Sequence, residues 1–293
     1  MIRALPHVAA EECFALKGGT AINFFWRDLP RLSVDIDLTY LPIEPREPSL
    51  ENISESLSRI GAGLRRAIPG VQVQEARARD SDRVVRLFVQ DDVARIVIEP
   101  NQVIRGTVFP TEQRDLVQPA EEMFEMAVSV PTLALADLYG GKICAALDRQ
   151  HPRDLFDVKL LLDEGGIDEP TRKAFVVYLA SHNRPMSELL DPIRKDIKAA
   201  YENEFAGMVR APVTYDYLAD AREALVESLR NDLTSNERQF LLSIKATEPR
   251  WELMELPGIE DLPAIQWKLA NIQKMGPDKQ REAFERLQAV LEK

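Results

Sequence analysis

Apolar positions recur along this chain with two periods, and the change between them near residue 130 divides it. Residues 13–17, Cys-Phe-Ala-Leu-Lys, read as a short buried strand that stops at Gly18-Gly19. Residues 20–27 take up a helical period, with Ala21, Phe24 and Phe25 on one face. Pro30 and Arg31 interrupt it, and a second strand is expected over 33–39, with Val34, Ile36 and Leu38 on one side. Pro42, Pro45 and Pro48 predict a stiff linker. Ile53, Leu57, Ile60 and Leu64 then predict a helix over 49–67, with Ser49 as its cap. Strands are expected over 71–76, 83–90 and 94–99, the last two joined at Asp91-Asp92 as a hairpin, with an edge segment over 106–109.

Beyond residue 130 the helical period takes over. Helices are expected over 132–148, 153–163, 169–181, 188–206, 215–231, 235–246, 261–273 and 278–291. Gly165-Gly166 ends the second of these, and Thr234 with Glu237 forms a capping box ahead of Phe240, Leu241 and Ile244. Trp251 and Trp267 lie in amphipathic surroundings and read as core. No internal repeat or low-complexity tract is present. The fold class expected is α+β, a small mixed sheet with flanking helices in a domain over 1–130, followed by a helical domain over 131–293.

Composition narrows the possibilities. The 293 residues are 45% hydrophobic and 29% charged, an ordinary globular balance, and no apolar run approaches the ~18–20 residues that span a bilayer. No membrane association is expected. The first seven residues lack the apolar core of a signal peptide, and Cys13 and Cys144 read as reduced core thiols, which together predict a cytoplasmic protein. Three histidines and two cysteines without ligand spacing leave little for zinc. A net charge of −11 argues against non-specific coating of nucleic acid, although Lys142, Arg149 and Arg153 are close enough in sequence to make a local basic groove.

Four elements can carry chemistry. Gly18-Gly19-Thr20 lies between a strand and a helix, where backbone N–H groups can cradle phosphate oxygens, with Lys17 as a counter-charge. Alone, it is more commonly a tight turn with a capping threonine. Asp35 and Asp37 are two residues apart on one strand face, an oxygen-only pair that suits Mg²⁺. The plainer reading is a charged strand edge that blocks aggregation. Arg31 and Ser33 precede the pair and can orient it. Glu99 ends a strand expected beside the aspartates, as a third metal ligand, as a base, or as an exposed terminus.

The fourth element runs from Asp137 to Asp157. Lys142, Ala146 and Arg149 share a helix face, and Pro152 opens a new helix capped by His151. Asp154 falls in the first turn, where the helix dipole alone explains it, and Asp157 lies one turn on, able to pair with Arg153 or Arg149. The functional reading puts Lys142 and the arginines on a triphosphate, with the acids holding them.

Taken together, LKGGTA (16–21), DIDL (35–38), IVIEPN (96–101), IRGTV (104–108) and LADLYGGKICAALDRQHPRDLFDV (135–158) resemble the AbiEii-type nucleotidyltransferase toxins, within the polymerase-β-like nucleotidyltransferase superfamily. The resemblance covers roughly residues 14–163. It implies a minimal nucleotidyltransferase sheet with a helical C-terminal domain. The reaction it implies is transfer of a nucleoside monophosphate from an NTP to an acceptor hydroxyl, on RNA, notably at a tRNA 3′ end, or on protein, with pyrophosphate released. It also implies a cognate antitoxin. Carried over, Gly18, Gly19 and Thr20 hold phosphate, Asp35 and Asp37 ligate Mg²⁺, Lys142 meets the nucleotide, and Asp154 and Asp157 occupy the family's late acidic positions in the RxxxRDxxD segment. Glu99 matches the strand-end acid. The alternatives are a catalytically decayed binding protein of the same fold and a small-molecule nucleotidyltransferase.

Overall fold

Phe14, Ala15 and Leu16 are buried in a four-residue strand, β1 (Phe14–Lys17), around which the first half of the chain assembles. The computed structural model describes residues 1–293 and divides into two units, Met1–Ala134 and Leu135–Lys293.

In the first unit a short helix α1 (Leu5–Ala9) precedes β1. The chain then turns directly into α2 (Gly18–Ala21), which runs on as a π-helical turn over Ile22–Trp26. Strand β2 (Ile36–Tyr40) follows, then the long helix α3 (Arg46–Ala67). Strands β3 (Gln72–Arg77), β4 (Val84–Gln90) and β5 (Arg95–Asn101) come next. After β6 (Glu112–Asp115) and the helix α4 (Gln118–Phe124), β7 (Ser129–Thr132) closes the unit. The seven strands form one mixed sheet in the order β3-β4-β5-β2-β1-β7-β6. β2 runs antiparallel to β1 and parallel to β5, and β1 runs parallel to β7. The apolar stripe of α3, Ile53, Leu57, Ile60 and Leu64, is buried, and the helix packs on β3 and β4. Burying each such side chain contributes about 1.5–3 kcal/mol.

Several sequence expectations shift. β2 begins at Ile36, so Asp35 precedes the strand that was expected from residue 33. Helix α3 begins at Arg46, and Ser49 is a buried residue inside it whose hydroxyl donates to the Pro45 carbonyl (3.0 Å) rather than capping the end. No strand forms over 106–109. Gly106 instead turns at φ 77° and its N–H donates to the Tyr40 carbonyl. The sheet's far edge is built by β6 and β7, four polar or proline-bearing residues each, whose stability comes from pairing and not from an alternating pattern.

The second unit is helical: α5 (Leu135–Asp148), α6 (Pro152–Asp163), α7 (Glu169–Ser181), α8 (Met186–Leu190), α9 (Lys198–Glu204), α10 (Tyr215–Asp232), α11 (Ser235–Ala246), α12 (Pro263–Gln273) and α13 (Pro277–Leu291). Helix α7 is its centre, with every residue from Ala174 to Ser181 buried. α5 crosses it closely at Gly140, where a Cβ would come within 2.8 Å of Ala174. Gly165 and Gly166, both at positive φ, end α6. The capping box at Thr234 and Glu237 forms as expected. The single helix expected over 188–206 is two, because Pro192 cannot continue α8 and the chain becomes helical again only at Lys198. Trp251 rests on Phe240, with ring centroids 5.8 Å apart, whereas Trp267 is 48% exposed and not core. No helix is long and apolar enough to cross a membrane.

Candidate active site

The antiparallel register of β1 and β2 sets Lys17 opposite Asp37, which brings the aspartate against the next residue, Gly18. Gly18 has φ +70°, a conformation side chains rarely adopt, and a Cβ there would stand 2.6 Å from the Asp37 carboxylate oxygen Oδ2. Gly19 is crowded from the other side. A Cβ on it would meet the Arg31 guanidinium at 2.6 Å and the Ser33 hydroxyl at 3.1 Å. Both glycines are therefore required by the close approach of neighbouring polar side chains. The buried Thr20 hydroxyl donates to the Asp35 carbonyl (2.5 Å), tying the acidic segment to the turn. That bond spends the hydroxyl on the protein itself, so phosphate contact at this turn falls to backbone N–H groups at the start of α2, which have no partner inside the helix. Asn23, one turn on and fully buried, donates to the Gly19 carbonyl (2.9 Å) and fixes the turn from below.

A row of charge crosses the sheet beside this turn. Asp37 is paired in register with Lys17 on β1 and with Glu99 on the parallel strand β5. Paired residues share a sheet face, so Lys17, Asp37 and Glu99 line one side. The Glu99 carboxylate is engaged by Arg86 of β4. Asp35, Asp37 and Ser33 are half-buried, partly reached by solvent, and Arg31 is buried with its guanidinium donating to the Leu32 carbonyl (2.8 Å).

The second charged cluster belongs to the helical unit. Lys142 on α5 is 6% exposed and lies between two fully buried carboxylates, 2.9 Å from Asp154 Oδ1 and 3.1 Å from Asp157 Oδ2, both on α6. Arg149, just beyond α5, makes a two-pronged contact with Asp154, from Nε (2.5 Å) and Nη2 (3.0 Å). Burial opposes the charge on Asp154, but Lys142 and Arg149 outweigh it and hold the carboxyl below the ordinary aspartate range. Asp157 also pairs with Lys142. His151 caps α6 as expected, its Nδ1 accepting from the Arg153 N–H (3.1 Å). The Arg149 side chain is 61% exposed, so it is the cation of this cluster that a solvated phosphate reaches most readily, while Lys142 serves mainly as the buried counter-charge.

Sequence reasoning missed Asn23 and Arg86. The signal for Asn23 was its position four residues after Gly19 on a helix; the signal for Arg86 was its place opposite Glu99 in the hairpin. The residues at the glycine turn fit a divalent cation of the Mg²⁺ type. Two half-exposed carboxylates supply an oxygen-only donor set, and Gly18 leaves the space beside Asp37 free of any side chain of its own. No group of three or more His, Cys, Asp or Glu side chains is placed to hold a metal, so further ligands would come from water and substrate.

A family model described as the nucleotidyl transferase AbiEii toxin of type IV toxin–antitoxin systems matches residues 1–271. Among solved structures, the nucleotidyltransferase toxin MenT4 of Mycobacterium tuberculosis H37Rv has the same fold at a TM-score of 0.54 and 18% identity, over 94% of this chain and 84% of that one. No curated protein matches the chain.

Proposed function

The chain belongs to the AbiEii family of nucleotidyltransferase toxins of type IV toxin–antitoxin systems, and from that premise we propose that it moves a nucleoside monophosphate from an NTP to a hydroxyl of RNA, at a tRNA 3′ end. The observation that carries this reading is the contact between the glycine turn and the acid: the Asp37 carboxylate lies directly on Gly18, beside a helix start able to bind phosphate.

In this reading the backbone N–H groups of Gly19 and Thr20 hold the triphosphate. Thr20 and Arg31 act indirectly, fixing Asp35 and the turn. Asp35 and Asp37 would hold Mg²⁺, which supplies neutralisation of the charge that develops on the phosphate oxygens. The acceptor oxygen attacks the α-phosphorus in line, the bond to the bridging oxygen breaks, and pyrophosphate leaves with its electron pair. Positioning and electrostatics supply most of the acceleration. Glu99, held by Arg86, would take the acceptor's proton only once that ion pair opens. Within the helical unit, Lys142 with Asp154 and Asp157 would fix the segment that carries the solvent-exposed Arg149. A cognate antitoxin would silence the activity in the cytoplasm.

The test is a screen of each labelled NTP with Mg²⁺ against total RNA, protein extract and small alcohols. Label in a tRNA-sized band, absent with Asp37→Asn, is the expected result. Label in protein or in small alcohols only would replace the RNA assignment, and no transfer from any NTP would overturn the reading.

A further inference from the structure

The helical unit contains a cavity of about 240 Å³ between α8, α11, α12 and α13 that the transfer reaction does not use. Two lysines line it. Lys245 and Lys268 are each 8% exposed, deep burial for lysine. Their surroundings differ. The Lys268 ammonium donates to the carbonyls of His182 (2.6 Å) and Arg184 (2.9 Å), which leaves one of its three protons. The Lys245 ammonium has no hydrogen-bond or ion-pair partner and keeps all three. Burial pushes Lys245 below the usual lysine range, and burial with Lys245 as a neighbour brings Lys268 down to about 8. The one arginine on the wall, Arg286, is already paired with Glu282 (2.9 Å). No acidic side chain lines the cavity.

Asn183, Ser187 and Asn271 add polar atoms to the wall, and Met186, Ile272, Met275, Leu287 and the half-exposed Trp267 supply its apolar surface. Methionines adapt to irregular aliphatic shapes. A dry cavity of about 150 Å³ accommodates benzene, so this one takes a ring or a short alkyl chain with a polar head.

We propose that this cavity is a binding site for a small amphipathic anion, its carboxylate or phosphate head on Lys245 and Lys268 and its apolar body against the methionines and Trp267. Two like charges brought side by side into a desolvated wall are costly. An anion between them relieves that cost and supplies Lys245 with the partner it lacks. The proposal is independent of the transfer chemistry, which lies on other residues.

The test is calorimetric titration of the full chain with octanoate, octyl phosphate, 1-octanol and octylamine. The expected result is one-site binding of octanoate or octyl phosphate, with the alcohol and the amine at least about tenfold weaker, as loss of a charge-assisted contact requires. The tighter of the two anions identifies the head group. Lys245→Met should weaken the anion about tenfold or more while its melting temperature stays equal or rises, and Lys245→Arg should retain binding. If neither anion binds, if octanol binds as well as they do, or if Lys245→Met leaves their affinity unchanged, the proposal is overturned. The head-group comparison on the unaltered chain decides the matter even if a variant fails to fold.

Discussion

The Asp37 carboxylate occupies the space that a side chain on Gly18 would need, with 2.6 Å between Oδ2 and the position of a Cβ. Gly18→Ala is therefore expected to do two things. It forces a non-glycine residue to φ +70°, at roughly 1 kcal/mol, and it pushes Asp37 from its place. Transfer activity should fall at least about a hundredfold, since a displacement near 1 Å costs that much in positioning, while the melting temperature drops by only a few degrees. Single-turnover transfer and a thermal melt on the same variant separate the two effects.

Asp37→Asn asks a different question, because it keeps the shape and removes the charge. Its neighbours in register, Lys17 and Glu99, carry opposite charges, so the attraction lost and the repulsion relieved offset each other and the fold should change by less than about 1 kcal/mol. The transfer rate should fall about a thousandfold or more. Chelation with EDTA should abolish activity of the unaltered chain, and added Mg²⁺ should restore it there but not in the variant. A variant that unfolds early, or one that retains activity, contradicts this assignment.

Much of the sheet's chemistry was readable in the sequence because it is local. The glycine turn, the aspartate spacing and the hairpin at Asp91-Asp92 are all decided within a few residues. What makes the turn a site is not local. Asp37 reaches Gly18 through the β1–β2 register, and Glu99 reaches Asp37 through a parallel pairing across 62 positions of chain. β6 and β7 escaped notice because, unlike β1, they offer no apolar run: Glu112–Asp115 is wholly polar, and Ser129–Thr132 has Val130 as its one large aliphatic residue. The break at Pro192 was visible as a proline inside a helical pattern, yet periodicity on either side of it masked the stop. Lys142, Asp154 and Asp157 were placed on successive helices from sequence. Their burial, and the place of Lys142 between Asp154 and Asp157, follow from how α5 and α6 pack.

That packing makes Lys142 indispensable to the helical unit. Lys142→Met removes the ammonium that lies between two fully buried carboxylates, and removing one partner of a buried ion pair costs about 3–5 kcal/mol. The expected result is a large loss of urea stability, partly recovered in the double variant Lys142→Met, Asp154→Asn. Acid stability should report the same cluster. The folded-state carboxyl of Asp154 titrates below its unfolded value, so its contribution is complete above the ordinary aspartate pKa of about 3.9 and is lost as pH falls below it. The unfolded chain takes up the proton first in that range. Urea melts between pH 5 and about pH 3 should show a steeper loss in the unaltered chain than in Asp154→Asn.

Lys268 has the opposite sign and acts at the alkaline end. In the folded chain its ammonium is brought down to about 8, whereas in the unfolded chain it titrates near 10.4. Between those values the unfolded state holds the proton that the folded state has released, so stability rises with pH across that window and the cost of the buried charge is present in full below it. Other groups also contribute at alkaline pH, Tyr217 among them, which burial and its bond to Asp163 push up to about 12 in the folded chain, so the comparison must be with a variant. Lys268→Met loses the two bonds to the His182 and Arg184 carbonyls and should be less stable at every pH. Its stability should nevertheless rise less than that of the unaltered chain between pH 8 and pH 10, a difference of slope that loss of the bonds alone does not produce. Parallel curves across that range would mean that Lys268 stays charged in the folded chain.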